Sequence, residues 1–236
     1  MSDRSKNRTI LGVERSALAY SEGLRTYMLG VYNYMALALG LTGGVALLVV
    51  SSPALFQALM PFRWMFLLGS LGLVFFLSFR IDAIRYSTAQ AVFWLYAAVN
   101  GLTFSIIFMA YTYESIARVF FITAGMFAAM SLYGYTTKKD LSAWGSFLFM
   151  GLIGIIIASV VNIFVASSML QFLVSIAGVI IFTGLTAYDT QSIKDTYIEG
   201  SSSEVAGKRA IFGALRLYLD FINLFIMMLN LMGNRR

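Results

Sequence analysis

The chain contains neither cysteine nor histidine among its 236 residues. The absence of cysteine excludes a disulfide framework, a thiolate metal site and a cysteine nucleophile. The absence of histidine removes the commonest side-chain base, the commonest transition-metal ligand and the usual pH switch near neutrality. Any proton chemistry in this protein therefore depends on carboxyl groups.

Charged residues are also scarce, at 12% of the chain, whereas hydrophobic residues make up 59%. A single globular core of this length cannot bury so much apolar surface, so we expect a lipid bilayer to be the main solvent. The net charge of +6 does not indicate nucleic-acid binding, because the basic residues stand singly or in pairs between apolar runs.

Seven segments are long and apolar enough to form spanning helices, which need about 20 residues each. They lie at residues 27–50, 62–81, 89–112, 117–135, 144–166, 170–190 and 209–232. We therefore predict an all-α membrane protein with seven transmembrane helices at residues 27–233, between a cytoplasmic N-terminal tail (1–26) and a C-terminal tail (234–236). The connections are short, except for a stretch from Gln191 to Lys208 that is typical of a flexible hydrophilic loop.

The distribution of Lys and Arg predicts the orientation of the chain in the membrane. The N-terminal tail and the even-numbered connections, which lie on one side of the predicted membrane, carry the majority of the basic residues. The other side carries four. That majority comprises Arg4, Lys6, Arg8, Arg15, Arg25, Arg80, Arg85, Lys138, Lys139, Lys194, Lys208 and Arg209. We therefore expect the N-terminus to be cytoplasmic.

The last apolar segment differs from the others because it carries several polar side chains. On a helix, Arg216, Asp220, Asn223 and Asn230 fall within about a quarter of the circumference. Leu, Ile, Phe and Met cover the rest, so the polar stripe is too narrow for a helix lying on the membrane surface. We predict a spanning helix near the centre of a bundle of six others.

Two aspartates are candidate functional residues. Asp220 lies about halfway along the seventh helix, where an aspartate costs roughly 2.5 to 3.5 kcal/mol on insertion; the structural alternative is that it pairs with Arg216 one turn earlier. Asp189 lies at the end of the sixth helix, where solvation would also account for it. Because these helices are antiparallel neighbours, the two carboxyl groups can meet and share a proton.

Two further features bear on this predicted pair. Arg80 ends the second helix on the same side of the membrane, and its guanidinium can pair with an ionised aspartate, although membrane anchoring explains it equally well. Paired carboxylates also suit hard cations, since Ca²⁺ prefers oxygen ligands. Asp189 and Asp220 would form a weak, transient Ca²⁺ site that suits passage more than storage.

Three segments resemble the Bax inhibitor-1 family, also called the transmembrane Bax inhibitor motif family, and in particular its bacterial members. They are TKKDLS at 137–142, AYDTQSI at 187–193 and LYLDFINLF at 217–225. The resemblance implies seven helices with the seventh in the middle, and a pH-sensitive calcium leak controlled by an aspartate pair. By motif position that pair is Asp189 and Asp220, and the latching arginine falls on Arg80.

We therefore expect a pH-sensitive calcium leak channel or Ca²⁺/H⁺ exchanger in a bacterial inner membrane. Asp189 and Asp220 are the expected pH sensor and ion pathway, Arg80 is the latch, and the supporting polar face comprises Arg216, Asn223 and Tyr188. No cofactor is expected besides Ca²⁺ as the transported ion. The alternative is a non-conducting regulator, since some bacterial members of the family restrain a membrane-anchored AAA protease.

An intramembrane aspartyl protease is a third interpretation, and the sequence disfavours it. Tyr188-Asp189 matches the first half of that signature, but the second half requires Gly-x-Gly-Asp. Here Asp220 follows Leu217-Tyr218-Leu219, which denies the substrate a close approach to the backbone. We expect no enzyme activity and no catalytic residue.

Overall fold

The computed structural model describes the backbone of residues 2–236 and the side chains of residues 20–236. Seven long helices account for most of this chain: α1 (Ser2–Ser51), α2 (Arg63–Arg80), α3 (Tyr86–Ala110), α4 (Tyr113–Thr136), α5 (Ser142–Val165), α6 (Ser168–Asp195) and α7 (Ser203–Met232). A short helix, Pro53–Leu59, and a 3-10 turn, Met60–Phe62, precede α2.

All seven helices are long and apolar enough to cross a membrane, which confirms the predicted fold class. The first candidate span begins at Tyr20 and the second at Pro53, earlier than the sequence predicts. Ser52 explains the second start, because its hydroxyl accepts the Leu55 N–H and caps the short helix. The side chains of the predicted tail up to residue 19, including four of its basic residues, lie outside those the structure describes.

The two ends of the bundle differ in their number of basic side chains. The connections at 81–85, 137–141 and 196–202 lie at one end, here called the basic end because these connections and the adjoining parts of the helices carry Arg80, Arg85, Lys138, Lys139, Lys194, Lys208 and Arg209. The connections at 111–112 and 166–167 lie at the other, here called the opposite end. The C-terminus also lies there, where the Thr112 N–H donates to the Asn234 carbonyl at 3.1 Å.

Helix α7 is the most enclosed of the seven. Buried residues make up 67% of its apolar segment, against 11–39% in the other six helices. It packs against α1, α2, α3, α4 and α6. This enclosure suits its sequence, because a polar stripe in a spanning helix is stable only when it faces other helices or water.

Glycines bring α6 close to its neighbours α4 and α5. A Cβ at Gly134 of α4 would lie 2.2 Å from the Ala187 carbonyl oxygen, so the two backbones touch. Gly145 of α5 likewise receives the ring of Tyr188. Small residues permit such close approach in a bilayer, where packing rather than the hydrophobic effect joins the helices. These contacts fix the part of α6 that carries Asp189.

A buried polar cluster joins α7 to α1 and α3. The Tyr218 hydroxyl accepts a hydrogen bond from Asn100 Nδ2 at 2.8 Å and lies 2.7 Å from Thr42 Oγ1. Thr42 donates its own proton to the Ala97 carbonyl at 2.9 Å. Since each hydroxyl has a single proton, Tyr218 is the donor to Thr42. The tyrosine is fully buried, so its hydroxyl depends on these partners.

Replacing Tyr218 with phenylalanine tests the contribution of this cluster. Tyr218→Phe leaves the Asn100 amide and one Thr42 lone pair without their partner, which should lower the free energy of unfolding by about 1–3 kcal/mol. Unfolding of the purified protein in detergent measures this loss. Tyr133→Phe is the matched control, because Tyr133 is exposed on α4. Equal stability of the two variants would show that the hydroxyl group of Tyr218 does not stabilise the fold.

Candidate functional site

Asp189 of α6 and Asp220 of α7 meet at the interface between these two helices. Both are buried, with exposed fractions of 7% and 5%. Their carboxyl groups lie close enough for a side-chain hydrogen bond. Such a bond requires one of the two groups to carry a proton, because two carboxylates offer no donor. The structure thus brings together the two aspartates that the sequence singles out.

Arg216 completes the cluster from one turn before Asp220. Its guanidinium forms an ion pair with Asp189, through Nε to Oδ2 at 3.1 Å and through Nη2 to Oδ1. Nη1 donates to Ser192 Oγ at 3.1 Å. This two-pronged geometry is the strong form of an arginine–carboxylate contact. The arginine therefore links α7 to α6, and no ion pair within the described part of the chain joins it to Asp220, which was the structural alternative for that aspartate.

Arg80 lies away from this cluster. Its side chain is exposed at the end of α2, and within residues 20–236 no ion pair joins it to either aspartate. The physical reason is position: α2 packs chiefly against α3 and only slightly against α7. The guanidinium expected from Arg80 is instead supplied by Arg216, which the sequence assigned to the supporting face.

One carboxylate oxygen of the cluster has no donor. Asp220 Oδ2 is buried and accepts no hydrogen bond from any described residue. Asp189, in contrast, receives two from Arg216. The free oxygen is therefore the place where a proton or a cation can be added without displacing an existing contact.

The net charge of the cluster determines what it can bind. Two carboxylates and one guanidinium sum to −1, and a single proton makes the cluster neutral. Net charge is costly in a low-dielectric interior, so this geometry favours one shared proton. Loss of that proton leaves a negative charge that a cation can balance. Within residues 20–236, no group of three or more acidic side chains could hold a metal ion, so a cation here would be held by two carboxylates at most.

The other two residues of the predicted supporting face lie nearby without touching the carboxyl groups. Asn223 is one turn beyond Asp220, and its amide donates to the Leu219 carbonyl at 2.8 Å. Tyr188 turns its ring toward Gly145 of α5. They contribute to packing around the cluster rather than to its hydrogen bonds.

A residue that the sequence does not single out, Gln191, joins two of the motif segments. Its Oε1 accepts the Leu141 N–H and its Nε2 donates to the Lys139 carbonyl, each at 2.8 Å. In the same connection, hydrogen bonds from Ser142 hold the pKa of the exposed Asp140 below its usual value. The connection from α4 to α5 is thereby fixed beside the end of α6 that carries Asp189.

Hydroxyl groups hold the other side of α6. The Ser131 hydroxyl of α4 lies 2.9 Å from Thr190 Oγ1 and 2.6 Å from the Tyr32 hydroxyl of α1. Thr190 in turn donates to the Thr186 carbonyl at 2.7 Å. Helix α6 is thus attached to α4 at the residue next to Asp189, and through Ser131 indirectly to α1, which limits how far that aspartate can turn.

The chain is similar to known proteins over most of its length. A family model described as "Inhibitor of apoptosis-promoting Bax1" matches residues 24–236. The chain is 50% identical to "Inner membrane protein YbhL" of Escherichia coli over 220 residues, covering 91% of this chain and 94% of that protein. It is 47% identical to an uncharacterized protein of Rickettsia prowazekii, with 92% and 93% covered. An uncharacterized membrane protein of Streptococcus pyogenes is 34% identical, with 89% and 93% covered.

The contacts of Gln191 predict a cost when its amide is removed. Gln191→Ala leaves the buried Leu141 N–H without an acceptor and should lower the free energy of unfolding by about 1–3 kcal/mol. Amide hydrogen exchange should also rise in residues 137–142. Gln57→Ala, in the exposed short helix, is the control with no such contact. Unchanged exchange in residues 137–142 would show that the amide does not hold this connection.

Proposed function

Because the chain belongs to the Bax inhibitor-1 family, we propose that it conducts calcium through the membrane, as a pH-gated leak channel or a Ca²⁺/H⁺ exchanger. Asp189 and Asp220 are the pH sensor in this proposal. The observation that carries it is the buried cluster of two carboxyl groups and one guanidinium at the α6–α7 interface.

In the closed state the cluster is neutral. One proton joins the two carboxyl groups, and Arg216 binds the Asp189 carboxylate through two hydrogen bonds. Both contacts cross from α6 to α7, so both hold these helices together. The closed state is therefore stable only while one proton and one arginine together balance the two carboxyl groups.

A change in proton occupancy alters both contacts. Without the proton, the two carboxylates repel each other and the cluster carries one negative charge. A Ca²⁺ ion prefers oxygen ligands and can then compete with Arg216 for Asp189. With a second proton, Asp189 loses the charge that holds the guanidinium. The interface is thus a two-state element whose balance depends on pH and on calcium.

The basic end is cytoplasmic in this proposal, as positive charge near the ends of spanning helices requires. The N-terminus is then cytoplasmic and the C-terminus outside. The name of the Escherichia coli relative places that protein in the inner membrane, and we assign this chain to the same membrane. The aspartate pair then lies in the cytoplasmic half of the bilayer.

Calcium flux in proteoliposomes tests the gate. The wild-type protein should pass Ca²⁺ at a rate that changes with pH. Asp220→Asn keeps the shape of the protonated group and cannot ionise, so its flux should lose the pH dependence that loss of the shared proton produces in the wild type. Asp195→Asn, an exposed position on the same helix as Asp189, should keep the wild-type pH dependence.

The same assay separates the proposal from its alternatives. Wild-type liposomes that pass no Ca²⁺ at any pH would contradict transport and favour a regulator that binds another membrane protein, such as a membrane-anchored AAA protease. Flux in Asp220→Asn with unchanged pH dependence would retain transport and refute the aspartate gate.

Arginine substitutions test which guanidinium acts on the pair. Arg216→Gln removes the positive charge that stabilises the ionised carboxylate, so the midpoint of the pH response should move to higher pH by about one to three units. Arg216→Lys keeps the charge and should shift it less. Arg80→Gln, at an exposed position, should leave the midpoint unchanged. A midpoint that shifts in Arg80→Gln and stays unchanged in Arg216→Gln would contradict the role assigned to Arg216.

A further inference from the structure

A second polar region lies at the opposite end of the bundle, between α5, α6 and α7. It is a cavity of about 450 Å³. Its polar lining includes Asn162 of α5, Gln171 and Ser175 of α6, and Asn230 of α7. Ser167, in the connection between α5 and α6, also lines it, so the cavity reaches that end of the bundle.

The lining offers neutral oxygen atoms and no charged side chain. Some of these groups are held in place: Asn162 Oδ1 accepts the Ser167 N–H at 3.0 Å, and the Ser175 hydroxyl donates to the Gln171 carbonyl at 2.8 Å. Amide and hydroxyl oxygens can replace part of the hydration shell of a cation without binding it tightly. Such a cavity suits a hydrated cation in transit.

One face of α7 connects this cavity to the aspartate pair. On a helix of 3.6 residues per turn, five residues fall within about a quarter of the circumference: Arg216, Asp220, Asn223, Met227 and Asn230. Met227 is the single apolar member of this face. It lies between the cavity and Asp220, about 10 Å from the latter along the axis.

Met227 is seated on a glycine of α6. A Cβ at Gly178 would lie 2.6 Å from Met227 Cγ and 2.8 Å from its sulfur, so the thioether rests directly on the α6 backbone. Met227 also lines the cavity. Its side chain therefore lies at the inner end of the cavity, in contact with α6.

Polar groups resume on the inner side of Met227. Because Gly178 contacts Met227 and Asp189 contacts Arg216 across the antiparallel pair, Thr183 of α6 lies at about the depth of Asn223. The Thr183 hydroxyl oxygen is buried and has no hydrogen-bond partner among the described residues. The apolar barrier is therefore short, with polar side chains on both sides.

We propose that this cavity is the outer vestibule of the cation path, and that Met227 seated on Gly178 is the barrier that separates it from Asp189 and Asp220. A hydrophobic constriction blocks ions by excluding water. A methionine side chain is flexible enough to move aside when α7 shifts against α6. The identity of the ion rests on the proposed function, whereas the pattern of water access does not.

The absence of cysteine makes this proposal directly testable, because a single introduced thiol has no background. Asn230→Cys reports on the vestibule, Asn223→Cys reports on the inner side of Met227, and Ile157→Cys on the exposed face of α5 is the lipid-facing control. A charged, membrane-impermeant methanethiosulfonate reagent is applied to sealed vesicles from each side in turn. Thr183→Cys replaces Asn223→Cys if that variant does not fold.

The expected pattern has three parts. The reagent applied at the opposite end labels Asn230→Cys and spares both Asn223→Cys and the lipid-facing control. Addition of Met227→Ala makes Asn223→Cys react from that side. Addition of Met227→Leu, which keeps an apolar side chain of similar size, leaves it protected.

Two outcomes with the reagent applied at the opposite end would overturn the proposal. Protection of Asn230→Cys would refute the vestibule, and labelling of Asn223→Cys beside an intact Met227 would refute the barrier. Calcium flux measured on the same variants separates this proposal from the function above. The expected labelling pattern without Ca²⁺ flux in any variant would support the vestibule and the barrier and refute calcium as the ion.

Discussion

The fold depends on the placement of two carboxyl groups and one guanidinium inside a bundle that a bilayer surrounds. In a low-dielectric interior such a cluster is tolerated only when its charges balance and its atoms are paired. Arg216 supplies one balancing charge, and in the proposed function a single proton supplies the other. Helix α7, which carries two of the three groups, is enclosed by its neighbours, whereas α5 has 11% of its apolar segment buried and faces lipid.

Hydropathy predicted the seven spans because the bilayer requires about 20 apolar residues for each helix. The aspartate pair was also predictable, since α6 and α7 are antiparallel neighbours. The partner of Arg216 was not, because the guanidinium can reach along its own helix or across to the next, and the rotation of α6 decides. The position of Arg80 relative to the aspartate pair was not predictable either, because a place at a helix end does not reveal which helix lies beside it. Gln191 was expected to begin a flexible loop, but α6 continues to Asp195 and its amide holds backbone atoms of a distant connection.

The proposed gate and the proposed barrier lie on one face of α7 against one helix, α6. Arg216 contacts Asp189 at one level and Met227 contacts Gly178 at another. A displacement of α7 relative to α6 would therefore change both contacts at once, which gives a physical route from proton occupancy to water access. Hydroxyl contacts hold each of these helices elsewhere: Thr190 of α6 contacts Ser131 of α4, and Tyr218 of α7 contacts α1 and α3.

Infrared spectroscopy of the purified protein in lipid tests the central claim, because the C=O stretch of a protonated carboxyl group is separate from that of a carboxylate. The account predicts a protonated-carboxyl band at neutral pH that disappears in Asp220→Asn, where the remaining aspartate is ionised against Arg216. Absence of the band in the wild-type protein, or its persistence in that variant, would show that the two aspartates do not share a proton.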